Sequence, residues 1–236
     1  MAKILTLVKT RPGIDTATFR NYWANDYTAA VLAIPDLGRE IRRIVHNHAI
    51  GLRIRDDAEL PMPDWAGIAE TWLDSDDAAR AFMAETASAA WCARHRAVFD
   101  AIVHYPCREV EIWNDGVDRP SIKMLAFFNP SAAMTREQSQ RYWNVEHVAV
   151  GGRLMNPRQY APRYVQNPVW LDHHSVDPRL DFAGCPELWF HSPEAAVALF
   201  TEPGAENTAR LAEDEAVFSD RASTLMMVTD EVVVHG

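Results

Sequence analysis

Apolar residues recur along this chain in two rhythms. Short runs rich in β-branched and aromatic residues read as strands, and stretches with apolar residues every three or four positions read as amphipathic helices. Residues 3–9 (KILTLVK) predict a strand, which Arg11-Pro12-Gly13 breaks. Asp15 is placed to cap a helix over 16–33, with Phe19, Tyr22, Trp23, Asp26, Tyr27 and Ala30 on one face. Pro35-Asp36-Leu37-Gly38 ends it. Residues 41–50 alternate as a second strand, with Ile44, His46 and His48 on one side and Val45, Asn47 and Ala49 on the other. A loop over 51–64 leads to a third strand at 65–73, helical stretches at 76–85 and 88–101, and a fourth strand at 105–113. The order β-α-β-β-α-β is the ferredoxin-like plan.

The same pattern then returns. Tyr22-Trp23 is answered by Tyr142-Trp143, and Arg43-x-Val45-x-Asn47 by Arg163-x-Val165-x-Asn167, all 120 residues on. Without a gap, 3–50 and 123–170 share eight identical positions, and five of these fall in the two motifs. A period of this length suits a duplicated small domain rather than a solenoid. Strands are predicted at 122–128, 161–170, 182–189 and 226–234. Thr135 with Gln138 is a capping-box signature for the second helix. Residues 182–189 answer 65–72 at an offset of 117, and polar residues 114–120 make a linker. The expected organisation is therefore α+β: two tandem ferredoxin-like domains, 1–116 and 120–236, each near the lower limit of core size for independent stability.

Composition narrows the function. The net charge of −10 is spread over both halves, 13 basic and 17 acidic residues in 1–117 and 10 and 16 in 118–236. With no basic run there is no electrostatic footing for nucleic acid. No apolar run of membrane-spanning length occurs, and the start MAKILTLVKT lacks a signal-peptide core. Three cysteines without CxxC spacing read as reduced thiols, which predicts a cytoplasmic protein. Dinucleotide, P-loop, serine-hydrolase and zincin motifs are all missing, so no cofactor is expected.

The motif Tyr142-Trp143-x-x-x-His147 followed by Arg163-Tyr164-Val165-Gln166-Asn167 resembles the EthD family of the dimeric α+β barrel superfamily. The first copy departs from the pattern at Tyr27, where the second has His147, and keeps Asn47-His48 where the second has Asn167-Pro168. The resemblance covers nearly the whole chain as two tandem domains. It implies two four-stranded sheets closing a barrel, here within one chain, with further homodimerisation compatible with it. Related barrels include cofactor-free cyclases, isomerases, dehydratases, decarboxylases, monooxygenases and haem-degrading enzymes, so the fold alone settles no chemistry.

Several residues are candidates for that chemistry. His147 can give or take a proton near neutral pH, and lies four residues after Trp143 on the helix. His46 and His48 would enter one cavity if their strand face lines it; the H-x-H spacing lacks an obvious third ligand, so no metal is expected. Tyr27 could polarise a carbonyl from the position matching His147. Asp26 and Glu146 would orient a base or accept from Arg43 or Arg163, unless they are ordinary solvated helix carboxylates. Glu70 and Glu187 each share a strand face with a tryptophan, Trp72 and Trp189. Tyr22, Trp23, Tyr142 and Trp143 either shape an apolar pocket or belong to the core. Because the copies differ at their polar positions and keep their aromatic frame, a single asymmetric site is expected. The resulting expectation is a cofactor-independent lyase or isomerase using histidine acid–base chemistry on a small apolar or aromatic metabolite. Alternatives are a non-catalytic small-molecule binder and a cofactor-free or haem-dependent monooxygenase.

Overall fold

The computed structural model describes residues 1–55, 64–116 and 122–236. The chain divides into two compact units. The first comprises Met1–Ala49, Asp64–Cys107 and Glu231–Gly236; the second comprises Ile50–Pro63 and Arg108–Asp230.

In the first unit, strand β1 (Ala2–Thr10) leads into helix α1 (Thr16–Tyr22), a π turn (Trp23–Tyr27) and α2 (Thr28–Leu32). Strand β2 (Ile41–Ala49), strand β3 (Gly67–Leu73), helices α3 (Asp76–Thr86) and α4 (Ala89–His95), and strand β4 (Phe99–Cys107) follow. The strands are antiparallel in the order β4-β1-β3-β2, the ferredoxin-like arrangement. Asp15 caps α1 by accepting from the Thr18 amide at 2.9 Å, which satisfies one of the free N–H groups at the helix start.

The second unit repeats the plan. Strand β5 (Val110–Asn114) is its edge, followed by β6 (Ile122–Pro130), helix α5 (Arg136–Tyr142), a second π turn (Trp143–His147) and α6 (Val148–Met155). Strands β7 (Arg163–Pro168) and β8 (Gly184–Phe190), helices α7 (Pro193–Thr201) and α8 (Ala205–Phe218), and strand β9 (Ser219–His235) complete it. Its antiparallel order is β9-β6-β8-β7-β5, and the last residues of β9 belong to the first unit. The Thr135–Gln138 capping box is formed in both directions.

Three boundaries differ from the sequence pattern. The helix expected over 88–101 ends at His95, and the strand expected over 105–113 is two strands, β4 and β5. Pro106 and the polar Arg108-Glu109 pair disguised the break: β5 pairs with β7 and so joins the second unit. Helix α8 is the third difference, since the sequence pattern predicts no element over 205–218. Most of the 114–120 linker lies outside the described residues.

The π turns correct the helix face. An i→i+5 turn holds more residues than an α turn. It leaves Tyr27 buried and His147 half-buried, and rotates Asp26 and Glu146 outward, where both are exposed. The carbonyl of each tryptophan receives a side-chain donor, a different one in the two repeats, and that of Trp23 also accepts the Thr28 backbone N–H. Thr28 Oγ1 donates to Trp23 O at 2.9 Å in the first, and Gln166 Nε2 reaches Trp143 O at 3.4 Å in the second.

Each sheet has a helix-facing side and an opposite side, and both are buried. On β6, Met124, Ala126 and Phe128 face the helices, while Lys123, Leu125 and Phe127 face away. The opposite sides carry matching polar clusters. Lys3 pairs with Glu70 at 2.8 Å, Asn47 donates to Glu70 at 2.8 Å, and the ammonium lies 4.7 Å from the Trp72 ring. In the second unit Lys123–Glu187 is 3.2 Å, Asn167–Glu187 is 2.9 Å, and Lys123 lies 4.3 Å from the Trp189 ring. The two glutamates singled out in the sequence are thus paired carboxylates in both repeats.

Candidate functional site

Beneath the helices of the second unit is a cavity of about 140 Å³. That is the scale of an interior void that admits a benzene-sized molecule. Its walls are mostly apolar: Met124, Ala126, Phe128, Trp143, Leu188, Leu199, Phe200, Leu211, Phe218 and Met226. The polar and charged side chains at its wall include His147, Tyr164, Arg55, Glu215, Arg221, Ser219 and Thr224.

His147 is held from behind. Its Nδ1 lies 2.6 Å from Asp214 Oδ2, and Tyr142 donates its hydroxyl to Asp214 Oδ1 at 2.8 Å. Burial raises the Asp214 carboxyl, but the hydrogen bonds from His147 and Tyr142 outweigh it and leave the group below the usual carboxylate range. Burial and the Asp214 contact push the Tyr142 phenol up to about 12, so it remains a hydroxyl donor. An ionised Asp214 accepts the proton on His147 Nδ1 and leaves Nε2 as the basic nitrogen. The imidazole also packs on Phe218, ring centroids 4.9 Å apart, which fixes its plane. Together these contacts hold an oriented imidazole beside a mostly apolar cavity, an arrangement suited to general acid–base chemistry.

The cavity exists because side chains present in the first repeat are missing from the second. Thr10 pairs with Phe99 and Pro130 with Ser219, so Phe99 and Ser219 occupy one site at the 120-residue spacing. At the same spacing Tyr27, Val31, Leu32 and Trp91 become His147, Gly151, Gly152 and Leu211. Each replacement is smaller. Val8 and Ile44 change the other way, to Phe128 and Tyr164, and narrow the space without closing it.

The family of the chain follows from matched segments. The EthD domain family matches residues 11–101 and again 131–222, more than half of the sequence. The chain belongs to the EthD family. Among solved structures, an anthrone oxidase-like protein is similar with a TM-score of 0.65 and 10% identity, covering 100% of this chain and 94% of that one. A Fusobacterium nucleatum protein named as a putative monooxygenase gives 0.53 at 6% identity, covering 99% and 92%. One from Lactobacillus acidophilus, named likewise, gives 0.50 at 7%, covering 98% and 94%. At such identities these likenesses establish the fold alone. No curated protein matches the sequence.

The two EthD repeats distribute the sequence candidates unequally. In the second, His147 and Trp143 line the cavity, and Tyr142 supports it through Asp214. In the first, Tyr22, Trp23, Tyr27, His46 and His48 come together, but in a filled core. His46 is 1% exposed and stacks on Trp23 with centroids 4.0 Å apart; His48 meets the same indole edge-on at 4.9 Å. Tyr27 packs against Trp91, His95 and Phe99. Space there amounts to about 10 Å³, scarcely one water. Burial, then the neighbouring His48, pushes His46 down to about 3, so it is a neutral ring at physiological pH. Burial likewise raises the Tyr27 phenol. Among the described residues, the space that Tyr27 and His46 line is this small one.

The remaining candidates lie elsewhere. Asp26 and Glu146 are exposed, turned outward by the π turns, and neither bonds the strand arginine proposed for it. Arg43 is exposed and lies 5.6 Å from the Trp72 ring, while Arg163 Nε bonds Glu111 at 3.1 Å. Sequence reasoning missed Asp214, Arg55, Glu215 and Arg221. The spacing of Leu211, Asp214 and Phe218 along one helical face was the signal for Asp214; nothing local marked Arg55. Among the described residues no three His, Cys, Asp or Glu side chains converge as a metal site, and no helix is long and apolar enough to cross a membrane.

Proposed function

We propose that this protein is an enzyme of proton transfer, acting in the second repeat on a small, largely apolar metabolite with an acidic C–H or O–H next to a carbonyl or aromatic ring. The observation that carries this reading is the His147–Asp214 pair at 2.6 Å beside an apolar cavity. Asp214 holds the imidazole in one tautomer, Nε2 accepts the substrate proton, and the same nitrogen returns it at another atom. Return to a different carbon is isomerisation; loss of a leaving group from the carbanion is a lyase reaction. Either needs only the residues described.

A second reading starts from the same anion. An electron-rich carbanion at a CH2 carbon can add dioxygen and a proton to give a hydroperoxide; cleavage of its O–O bond with loss of the carbon's second hydrogen leaves one oxygen as a carbonyl and releases the other as water. Dioxygen partitions into apolar spaces such as this one. The names of the anthrone oxidase-like and monooxygenase neighbours agree with it, although fold likeness carries no chemistry.

Exchange of substrate hydrogens in deuterated water tests the common step. The protein should catalyse exchange at the activated position of an aryl ketone such as 2-tetralone, followed by NMR, and His147→Gln should abolish it. Exchange that persists in His147→Gln would refute His147 as the base; exchange never seen over a panel of such ketones while they bind would make the protein a binding module. Oxygen uptake in the same reaction separates the two readings.

A further inference from the structure

One hydroxyl at the cavity wall keeps its proton unused. Ser219 Oγ donates to Glu215 O at 2.8 Å, and Thr224 Oγ1 to Asp220 O at 3.4 Å. Tyr164 differs. Its phenol oxygen accepts from Gln166 Nε2 at 2.7 Å, and the same nitrogen reaches Trp143 O at 3.4 Å, so the amide presents its donor side to both. A phenol has an O–H to give as well as lone pairs to receive on. Among the described residues no acceptor meets that O–H, although the side chain is only 6% exposed and lines the cavity. A buried donor without an acceptor is costly, and a ligand oxygen would remove that cost.

The phenol is held in place by its neighbours. Tyr164 and Gln166 stand two residues apart on β7 and so share one face of the sheet. The Tyr164 ring packs on Trp113 with centroids 4.9 Å apart, and Trp113 is itself anchored by Nε1 donating to Ala161 O at 2.9 Å. At the 120-residue spacing the first repeat has Ile44 and His46, which line its small space and bring no hydroxyl to that place. The donor therefore occurs in the repeat that has the larger cavity. Burial raises the Tyr164 phenol well above its ordinary value, and hydrogen bonds from Gln166 and Trp143 offset only part of that, so it stays an O–H donor at working pH.

We propose that Tyr164 donates its hydroxyl to the oxygen of a neutral ketone bound in this cavity, and holds that oxygen while His147 forms the enolate. The second half rests on the acid–base reading given above; recognition of the carbonyl needs only that the cavity be the ligand site. His147 Nε2 takes a proton from the carbon beside the carbonyl. The C–H pair becomes the C=C bond of the enolate, and the carbonyl π pair moves onto oxygen. The Tyr164 hydrogen bond strengthens as that charge develops, which is the condition for lowering the barrier. Return of the proton from Nε2 to carbon closes the cycle, and Tyr164 keeps its own proton throughout.

Binding of 2-tetralone and of tetralin, the same body without the oxygen, to the full chain tests this. Tyr164→Phe should weaken 2-tetralone about tenfold and leave tetralin within roughly twofold, which also reports an intact cavity. In wild type the infrared carbonyl stretch of bound 2-tetralone should lie below its value in hexane, and in Tyr164→Phe it should move back, a signature that lost packing does not give. Deuterium exchange should fall about 10²–10³-fold in Tyr164→Phe, as for removal of an oxyanion donor. Unchanged 2-tetralone binding, equal weakening of both ligands, absence of binding by both, or a wild-type stretch at the hexane value would each overturn the proposal. If binding and the stretch respond to Tyr164→Phe while wild type shows no exchange, the acid–base reading fails and the carbonyl subsite stands. If exchange depends on His147 and is unaffected by Tyr164→Phe, the acid–base reading stands and the role of Tyr164 fails.

Discussion

Gly184 on β8 lies directly under Trp143: a methyl group added to its Cα would stand 2.5 Å from the indole Cζ3. The first repeat has the same relationship, with Gly67 at 3.0 Å from Cζ3 of Trp23. The tryptophan of each Tyr-Trp motif thus rests on a strand glycine, and its indole is 1% exposed or less. This explains why the aromatic pair and the glycine of the third strand recur together in the two copies. Gly184→Ala should cost about 1–3 kcal/mol, the usual range for overpacking. Because Trp143 also lines the cavity, the displaced ring should weaken ligand binding. Urea denaturation followed by tryptophan fluorescence, with a parallel binding titration, checks both effects.

The glycines of α6 predict the opposite trade. Gly151 lines the cavity, and a Cβ there would meet only Leu211 Cδ1, at 3.9 Å. Gly151→Ala should therefore stabilise the helix by about 0.5–1 kcal/mol, the penalty of a helical glycine. Gly151→Leu should stabilise as well but fill the void, abolishing deuterium exchange. Thermal melts read the first outcome and exchange rates the second. A Gly151→Leu protein that stays active would mean that the reaction does not use this space.

Stability should fall with acid through His46. Its folded value is held down at about 3, against the ordinary histidine value of 6.5. The unfolded chain therefore binds a proton that the folded chain refuses. The contribution is intact above pH ~6.5, and declines as pH falls toward the folded value, by up to about 1.4 kcal/mol per unit. His46→Gln, the residue found at position 166 in the second repeat, should lose roughly 2 kcal/mol less than wild type between pH 7 and 5. Urea midpoints at the two pH values decide it.

What the sequence made legible was the frame. Period-2 and period-3.6 patterns, the capping box and the Tyr-Trp spacing all report local geometry, and they led to the duplication, the fold class and His147. What they could not report was a change of helical pitch. The π turn moves Asp26 and Glu146 off a face that α periodicity assigns to them, and no composition cue distinguishes the two turns. Nor could periodicity say that the face of His46 and His48 packs under Trp23 instead of bordering a ligand space. The partners of His147 are separated from it by 67 residues or more, and Arg55 is supplied from the other repeat's chain, so tertiary placement alone brought them together.

The buried Lys123–Glu187 pair makes a further prediction. Both side chains are 0% exposed. Lys123→Met should cost about 3–5 kcal/mol by leaving a buried carboxylate without its cation, whereas Lys123→Met combined with Glu187→Leu should cost less. Chemical denaturation of the three proteins measures the difference. Equal losses in the single and double variants would show that packing, not charge, governs this face.

The His147–Asp214–Tyr142 chain separates orientation from basicity. Asp214→Asn keeps the shape but can no longer accept the Nδ1 proton as a carboxylate does, so the imidazole loses its fixed tautomer. Turnover should drop by about 10²–10⁴, comparable with loss of the base itself. Tyr142→Phe removes only a donor to Asp214. It should cost roughly 1 kcal/mol of stability and leave most of the rate. It should also let the Asp214 carboxyl rise toward its ordinary value. In wild type that carboxyl is held low, so its stabilising contribution is present above the unfolded carboxyl range near pH ~4, and is lost as pH falls through the lower folded value. In Tyr142→Phe the loss should begin at higher pH. Carboxyl titration by NMR, with urea midpoints between about pH 5 and 3, reads the shift. If Asp214→Asn retained wild-type rate while His147→Gln lost it, the aspartate would be holding structure alone and the imidazole would act without a fixed tautomer.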